Sequence, residues 1–122
     1  MSSSSTVVLL ASDLMLSSTV SGFAASAGAA FRSVSSIPEA VEVASEQAGV
    51  LLFVDLGTPG LDVGLLASSV PESVLATAVA YGPHVHTAKL QAAIAAGFGQ
   101  VLSRGQFSAS VGRIIANATS QG

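Results

Sequence analysis

The chain has 122 residues, half of them hydrophobic and only 9% charged, with four basic against seven acidic side chains and a formal net charge of −3. That length suits one domain able to bury well over half of its surface, and four scattered cations cannot build the clustered positive face that a nucleic-acid backbone demands. The absence of cysteine excludes disulfides, thiolate catalysis and thiolate-held zinc, and no apolar run approaches the roughly 18–20 residues of a membrane helix.

Residues 1–5 read as a disordered polar tail. Thr6 to Ala11 is β-branched and apolar, a buried-strand pattern that ends beside Asp13. Leu16, Val20, Phe23 and Ala27 then fall near helical spacing, with Gly28 as the stop. Met1 to Phe31 has the outline of a secretory leader, with Ala24-Ala25-Ser26-Ala27 as a small-residue cleavage site. It lacks a positive beginning, however, and Asp13 interrupts its apolar part. The stretch is read instead as the first strand and helix of a cytoplasmic domain. Ala29 to Val34 is a shorter, more polar strand, suited to a sheet's edge.

Ser36-Ile37-Pro38-Glu39 carries a capping box with proline in the first turn, a strong helix start. Ala40, Val41, Val43 and Ala44 supply that helix's apolar face, and Gly49 closes it. Val50-Leu51-Leu52-Phe53-Val54 is a continuous apolar run that stops at Asp55, followed by Gly57-Thr58-Pro59-Gly60. Such a run between turn residues is a strand buried on both faces, as the middle of a parallel sheet requires.

A short helix is expected over Leu61 to Ser69, with Leu61, Leu65 and Leu66 inward, and Pro71 breaks the chain. Val74 to Ala80 reads as the fourth strand, ended by Tyr81-Gly82-Pro83. His86 to Ala96 reads as a helix with Leu90, Ala93 and Ile94 inward and Gly97 as its stop. Gln100 to Ser103 is a fifth strand, Arg104-Gly105 a turn, and Ser108 to Ala118 a last helix presenting Val111, Ile114 and Ile115, with 119–122 as a tail.

Strands alternating five times with helices imply parallel pairing and right-handed crossovers. Five such units over 6–118 are too few for an eight-stranded barrel, so the expected class is α/β, a doubly wound three-layer sandwich. Ligands of such sheets bind outside the carboxyl ends of the strands, where Asp55 would sit.

The residues at that edge resemble those of the receiver domain of two-component response regulators, the CheY-like fold, over nearly the whole length. The resemblance is carried by Asp13 and Asp55 after the first and third strands, and by Pro59 and Asp62 in the loop beyond Asp55. Ala96-Gly97 at the end of the fourth helix and Arg104 seven residues later complete it. It implies a five-stranded parallel sheet of order 2-1-3-4-5 with these residues converging at one edge. It also implies Asp55 as phosphoacceptor, Arg104 at the family's lysine station and Gly82 at its Ser/Thr station. Mg²⁺ would be held by Asp13, Asp55 and the carbonyl of Gly57.

The departures are that Ser12 replaces one of the acidic pair, Gly82 has no hydroxyl, Gly105 stands where a proline is usual, and Val101 where an aromatic is usual. These losses resemble those of pseudo-receivers, which keep the fold and dock partners without the standard switch. Two carboxylates, a carbonyl and waters make an acceptable hard-cation set, weakened by the loss of one charge at Ser12. An arginine's planar fork does not replace a flexible ammonium without cost.

Two functional expectations follow from the resemblance. In one, the domain accepts a phosphoryl group on Asp55 from a histidine kinase or phosphotransfer protein, with Mg²⁺, and its association with a downstream protein or a second copy changes. In the other, it is a constitutive interaction or dimerisation module. In either case the docking face is the fourth helix, fifth strand and last helix, where Lys89, Arg104 and Arg113 are the only charged residues after Glu72. The low charge of the chain has two readings, compositional habit or a partly apolar surface used for association.

His84 and His86 could ligate a metal, but no third ligand lies nearby in sequence; one is expected to cap the helix start and the other to pack against the loop. Gly97-Phe98-Gly99 is too short for a dinucleotide fingerprint. No Gly-x-Ser-x-Gly elbow supports hydrolase chemistry.

Overall fold

A strand that packs helices against both of its faces needs apolar side chains at every position, because successive side chains point to opposite sides. The computed structural model, which describes residues 5–11, 14–47 and 49–120, applies this rule to two adjacent strands. β1 (Thr6–Leu10) and β3 (Val50–Asp55) are buried at every residue. They pair in parallel, Thr6 with Val50 through Leu10 with Val54.

The other strands flank them in parallel. They are β2 (Ala30–Val34), β4 (Val79–Gly82) and β5 (Gln100–Ser103), and the sheet has the order β2-β1-β3-β4-β5. The more polar β2 lies at an edge, as its composition predicts.

Alternation then divides the core in two. Val8, Leu10, Leu52, Val54 and Ala80 face α2 (Ile37–Glu46), α3 (Val63–Ser69), α4 (Glu72–Thr77) and α5 (Thr87–Ala96). Val7, Leu9, Leu51, Phe53 and Tyr81 face α1 (Leu14–Ser26) and α6 (Arg104–Ser120). On that second side Phe107 of α6 stacks on Tyr81, with ring centroids 4.1 Å apart, and meets Phe53 edge-on at 5.0 Å. No helix among the described residues is long and apolar enough to cross a membrane.

Several local expectations are corrected. Glu72–Thr77 is helical, so the fourth strand begins at Val79 and includes Gly82, later than the apolar run suggested. A short apolar run is compatible with either structure. Here Pro71 opens a turn, its carbonyl accepting from Val74 and Leu75, and Val74 alone of that helix is buried.

Arg104-Gly105 is not a turn but the first two residues of α6, which continues through Ser120 into the stretch expected as a tail. The signal is a second capping box, Ser103-x-x-Gln106. Gln106 N–H donates to Ser103 Oγ at 3.1 Å, and Ser103 N–H to Gln106 Oε1 at 2.9 Å. The earlier start is what brings Phe107 into the core. Phe23, Leu65 and Ile94, expected inward, are exposed, whereas Leu66 and Ala93 are buried as expected and Ala24 takes the buried place beside Phe23.

Candidate functional site

All five strands point the same way, so their carboxyl ends form one edge. The register puts Asp55 opposite Tyr81 and Gly82 opposite Ser103, so Asp55, Gly82 and Arg104 emerge on neighbouring strands within a residue or two of one level. Leu10 pairs with Val54, which brings the next residue of that chain, Ala11, to the level of Asp55. Ser12 and the expected metal ligand Asp13 lie outside the described residues.

Asp55 is buried, with 5% of its surface left open. Its Oδ1 accepts the N–H of Gly57 at 2.8 Å, and its carbonyl accepts the N–H of Thr58 at 3.0 Å. These bonds fold Asp55–Thr58 into an Asx turn over a β-turn. A side chain at position 57 would begin 3.2 Å from Oδ1, so glycine here lets the backbone close on the carboxylate. Among the described residues the Gly57 amide is the only hydrogen-bond partner of that carboxylate. The donor set in hand, one carboxylate with a backbone carbonyl two residues on, is all oxygen and fits a hard cation such as Mg²⁺.

Gly82 is buried beneath Leu56, whose Cβ lies 3.4 Å from where a side chain at 82 would start. An aliphatic group therefore stands beside the station that the resemblance assigns to a hydroxyl. Val101 is half-buried against the α2–α5 side of the core. Arg104 occupies the first turn of α6 with an exposed side chain. Asp62, one of the residues carrying the resemblance, caps α3 by accepting from Leu65 N–H at 3.0 Å.

His84 and His86 are exposed, and His86 stands at the N-cap of α5 without a side-chain bond, contrary to the expected capping role. No cluster of three or more His, Asp or Glu assembles among the described residues.

Two groups near the edge were not singled out from sequence. Thr58 holds its hydroxyl buried and without a hydrogen bond, a state that depends on packing and leaves no trace in sequence. Lys89, the only lysine of the chain, lines a cavity of about 420 Å³ with Gly57, Thr58 and Ala92. From sequence Lys89 was placed only on the docking face, because sheet order alone does not say which side of α5 a residue occupies.

No protein-family model matches the chain, and no curated protein matches it. Solved structures do. A response regulator receiver domain protein from Clostridium thermocellum superposes with a TM-score of 0.74 at 12% identity, covering 96% of this chain and 95% of that one. The chemotaxis response regulator CheY4 of Vibrio cholerae gives 0.73 at 15%, over 94% and 98%. The beryllofluoride-activated NtrC4 receiver domain dimer gives 0.70 at 14%, over 93% and 98%. The chain has the receiver fold, a flavodoxin-like sheet of order 2-1-3-4-5.

Proposed function

We propose that this is a signal-transduction receiver domain that acts through protein–protein association under the control of phosphorylation on Asp55. The observation that carries the reading is the Asp55 carboxylate at the end of the central strand, nearly enclosed yet bonded among the described residues only to the Gly57 amide. A carboxylate oxygen of Asp55 would attack the phosphorus of an acyl phosphate or phosphohistidine donor. The bond from phosphorus to the donor atom breaks, and its electron pair leaves with the donor.

The Gly57 amide holds Oδ1 and orients the carboxylate for that attack. Lys89, which lines a cavity with Gly57 and Thr58, and Arg104, which directly follows β5, would supply positive charge for the transferred oxygens. Mg²⁺, held by Asp55, the Gly57 carbonyl and Asp13, would supply neutralisation of the incoming oxygens. The donor would be a histidine kinase or phosphotransfer protein. The output surface would be α5, β5 and α6, where Ile94 stands exposed, with a downstream protein or a second copy as partner, and a cytoplasmic setting to match.

A second reading, a constitutive interaction module, is favoured by one observation: Leu56 rather than a hydroxyl lies against Gly82, so a phosphoryl group lacks the usual contact through which to shift the fold. Incubation with acetyl phosphate and Mg²⁺, followed by intact mass under acidic conditions, separates the two. A single phosphoryl adduct on the wild type that is absent from Asp55→Asn supports the first. No adduct on the wild type refutes phosphorylation control.

A further inference from the structure

The cavity that Lys89 lines is bounded by the loop after β3 on one side and by the first turns of α5 on the other. It measures about 420 Å³, within the range of small-molecule sites. Leu61, Val63, Ala88 and Ala92 make its aliphatic walls, and the segment Gly57–Gly60 closes it on the side of the Asp55 turn.

The charge on these walls has one sign. Lys89 is the only ionisable residue among the lining side chains. It is exposed, so solutes reach the ammonium, and no hydrogen bond or ion pair holds it among the described residues. Two carboxylates adjoin the wall along the chain, and both are engaged elsewhere. Asp62 Oδ1 accepts the Leu65 N–H at 3.0 Å to cap α3, and Asp55 Oδ1 accepts the Gly57 N–H at 2.8 Å. The Thr58 hydroxyl is buried and takes no part.

An ammonium set in aliphatic walls selects its ligand twice. An anion gains a charge-assisted hydrogen bond from it, and an apolar body gains from the walls. One ammonium compensates one negative charge, and a second would enter mostly apolar surroundings without a partner. We infer that this cavity binds a small monocarboxylate, with the carboxylate on Lys89 Nζ and an aliphatic or aryl body against Leu61, Val63 and Ala92. Binding does not rest on phosphorylation of Asp55. Where Asp55 accepts a phosphoryl group, the ligand and the transferred oxygens draw on the same ammonium.

The test is an NMR titration of the full chain with 3-phenylpropionate, compared with 3-phenylpropionamide, which keeps the body and loses the charge. The expected result is saturable shifts at the methyls of Leu61, Val63, Ala88 and Ala92. Lys89→Gln should weaken the carboxylate about fivefold, the worth of one charged contact at an exposed side chain, and leave the amide unchanged. Lys89→Arg should retain most of the carboxylate affinity. Added salt should weaken the carboxylate and spare the amide. Ala92→Phe, which fills the cavity from α5, should abolish binding of both while the circular dichroism stays native.

Shifts that do not saturate, or that gather at Ile37 and Val41 across the loop, would overturn the assignment. So would equal carboxylate affinity in a natively folded Lys89→Gln, or equal affinity for acetate, the mark of an adventitious ion only.

Discussion

Gly99 is required by contact rather than by backbone conformation, which makes its replacement a direct test of how β5 joins the fold. Its φ is not among the positive values of the chain, so alanine meets no conformational objection. A Cβ there would run into the carbonyl oxygen of Ala76 and lie 2.9 Å from that carbonyl's carbon. Both atoms are backbone and cannot swing aside. Relief means pulling the start of β5 away from α4, and two hydrogen bonds hold them together. These are Gly99 N–H to Leu75 O at 3.2 Å and Gln100 N–H to Ala78 O at 3.1 Å.

Losing both, with the exposed or orphaned groups that follow, costs about 2–4 kcal/mol. The reduced freedom of the unfolded chain returns about 0.4–1 kcal/mol. The net expectation for Gly99→Ala is about 2–3 kcal/mol. At about 3–5 °C per kcal/mol for a domain of this size, the melting temperature falls by about 10 °C. Thermal denaturation followed by circular dichroism measures it. Gly22→Ala, inside α1 with nothing within 4 Å of the added carbon, serves as the control and should stabilise by about 0.5–1 kcal/mol. A melting temperature for Gly99→Ala within about 2 °C of wild type would refute the reasoning.

Three further outcomes are expected. Thr58→Val should stabilise the protein by about 1 kcal/mol in urea denaturation, because it removes a buried hydroxyl that has no partner; a destabilised variant would mean that the hydroxyl is paired. Phe107→Ala should cost about 3–5 kcal/mol by the same assay, since the ring fills the space between Phe53 and Tyr81. Hydrogen bonds from the Ser35 backbone and hydroxyl hold the Glu39 carboxyl below its usual range. A group with a depressed folded value stabilises above its unfolded value and loses that contribution as pH falls through the folded one. The stability advantage of wild type over Glu39→Gln should therefore be present at neutral pH and vanish on acidification, as melting temperatures at a series of pH values would show.

What was readable in the chain, and what was not, follows from the range of the forces involved. Continuous apolar runs at Thr6–Ala11 and Val50–Val54 specify strands with two buried faces, and the Ser36–Glu39 box specifies a helix start. Both are local patterns, and the structure reproduces them. Asp55 at the end of the central strand was legible for the same reason, since a lone carboxylate closing an apolar run has to emerge at the sheet's edge.

The amino-acid sequence by itself thus determined the alternation of elements, the parallel class and the position of Asp55. Tertiary contacts decided the rest. The Glu72–Thr77 segment is a helix packed against β3, although its apolar run alone is equally compatible with a strand. Ile94 faces outward while Ala93, its neighbour in the chain, is buried. A groove of about 700 Å³ is left between α2 and the loop after β3, segments some twenty residues apart in the chain. Packing is a relation between surfaces brought together only by the fold, and no pattern confined to one segment can express it.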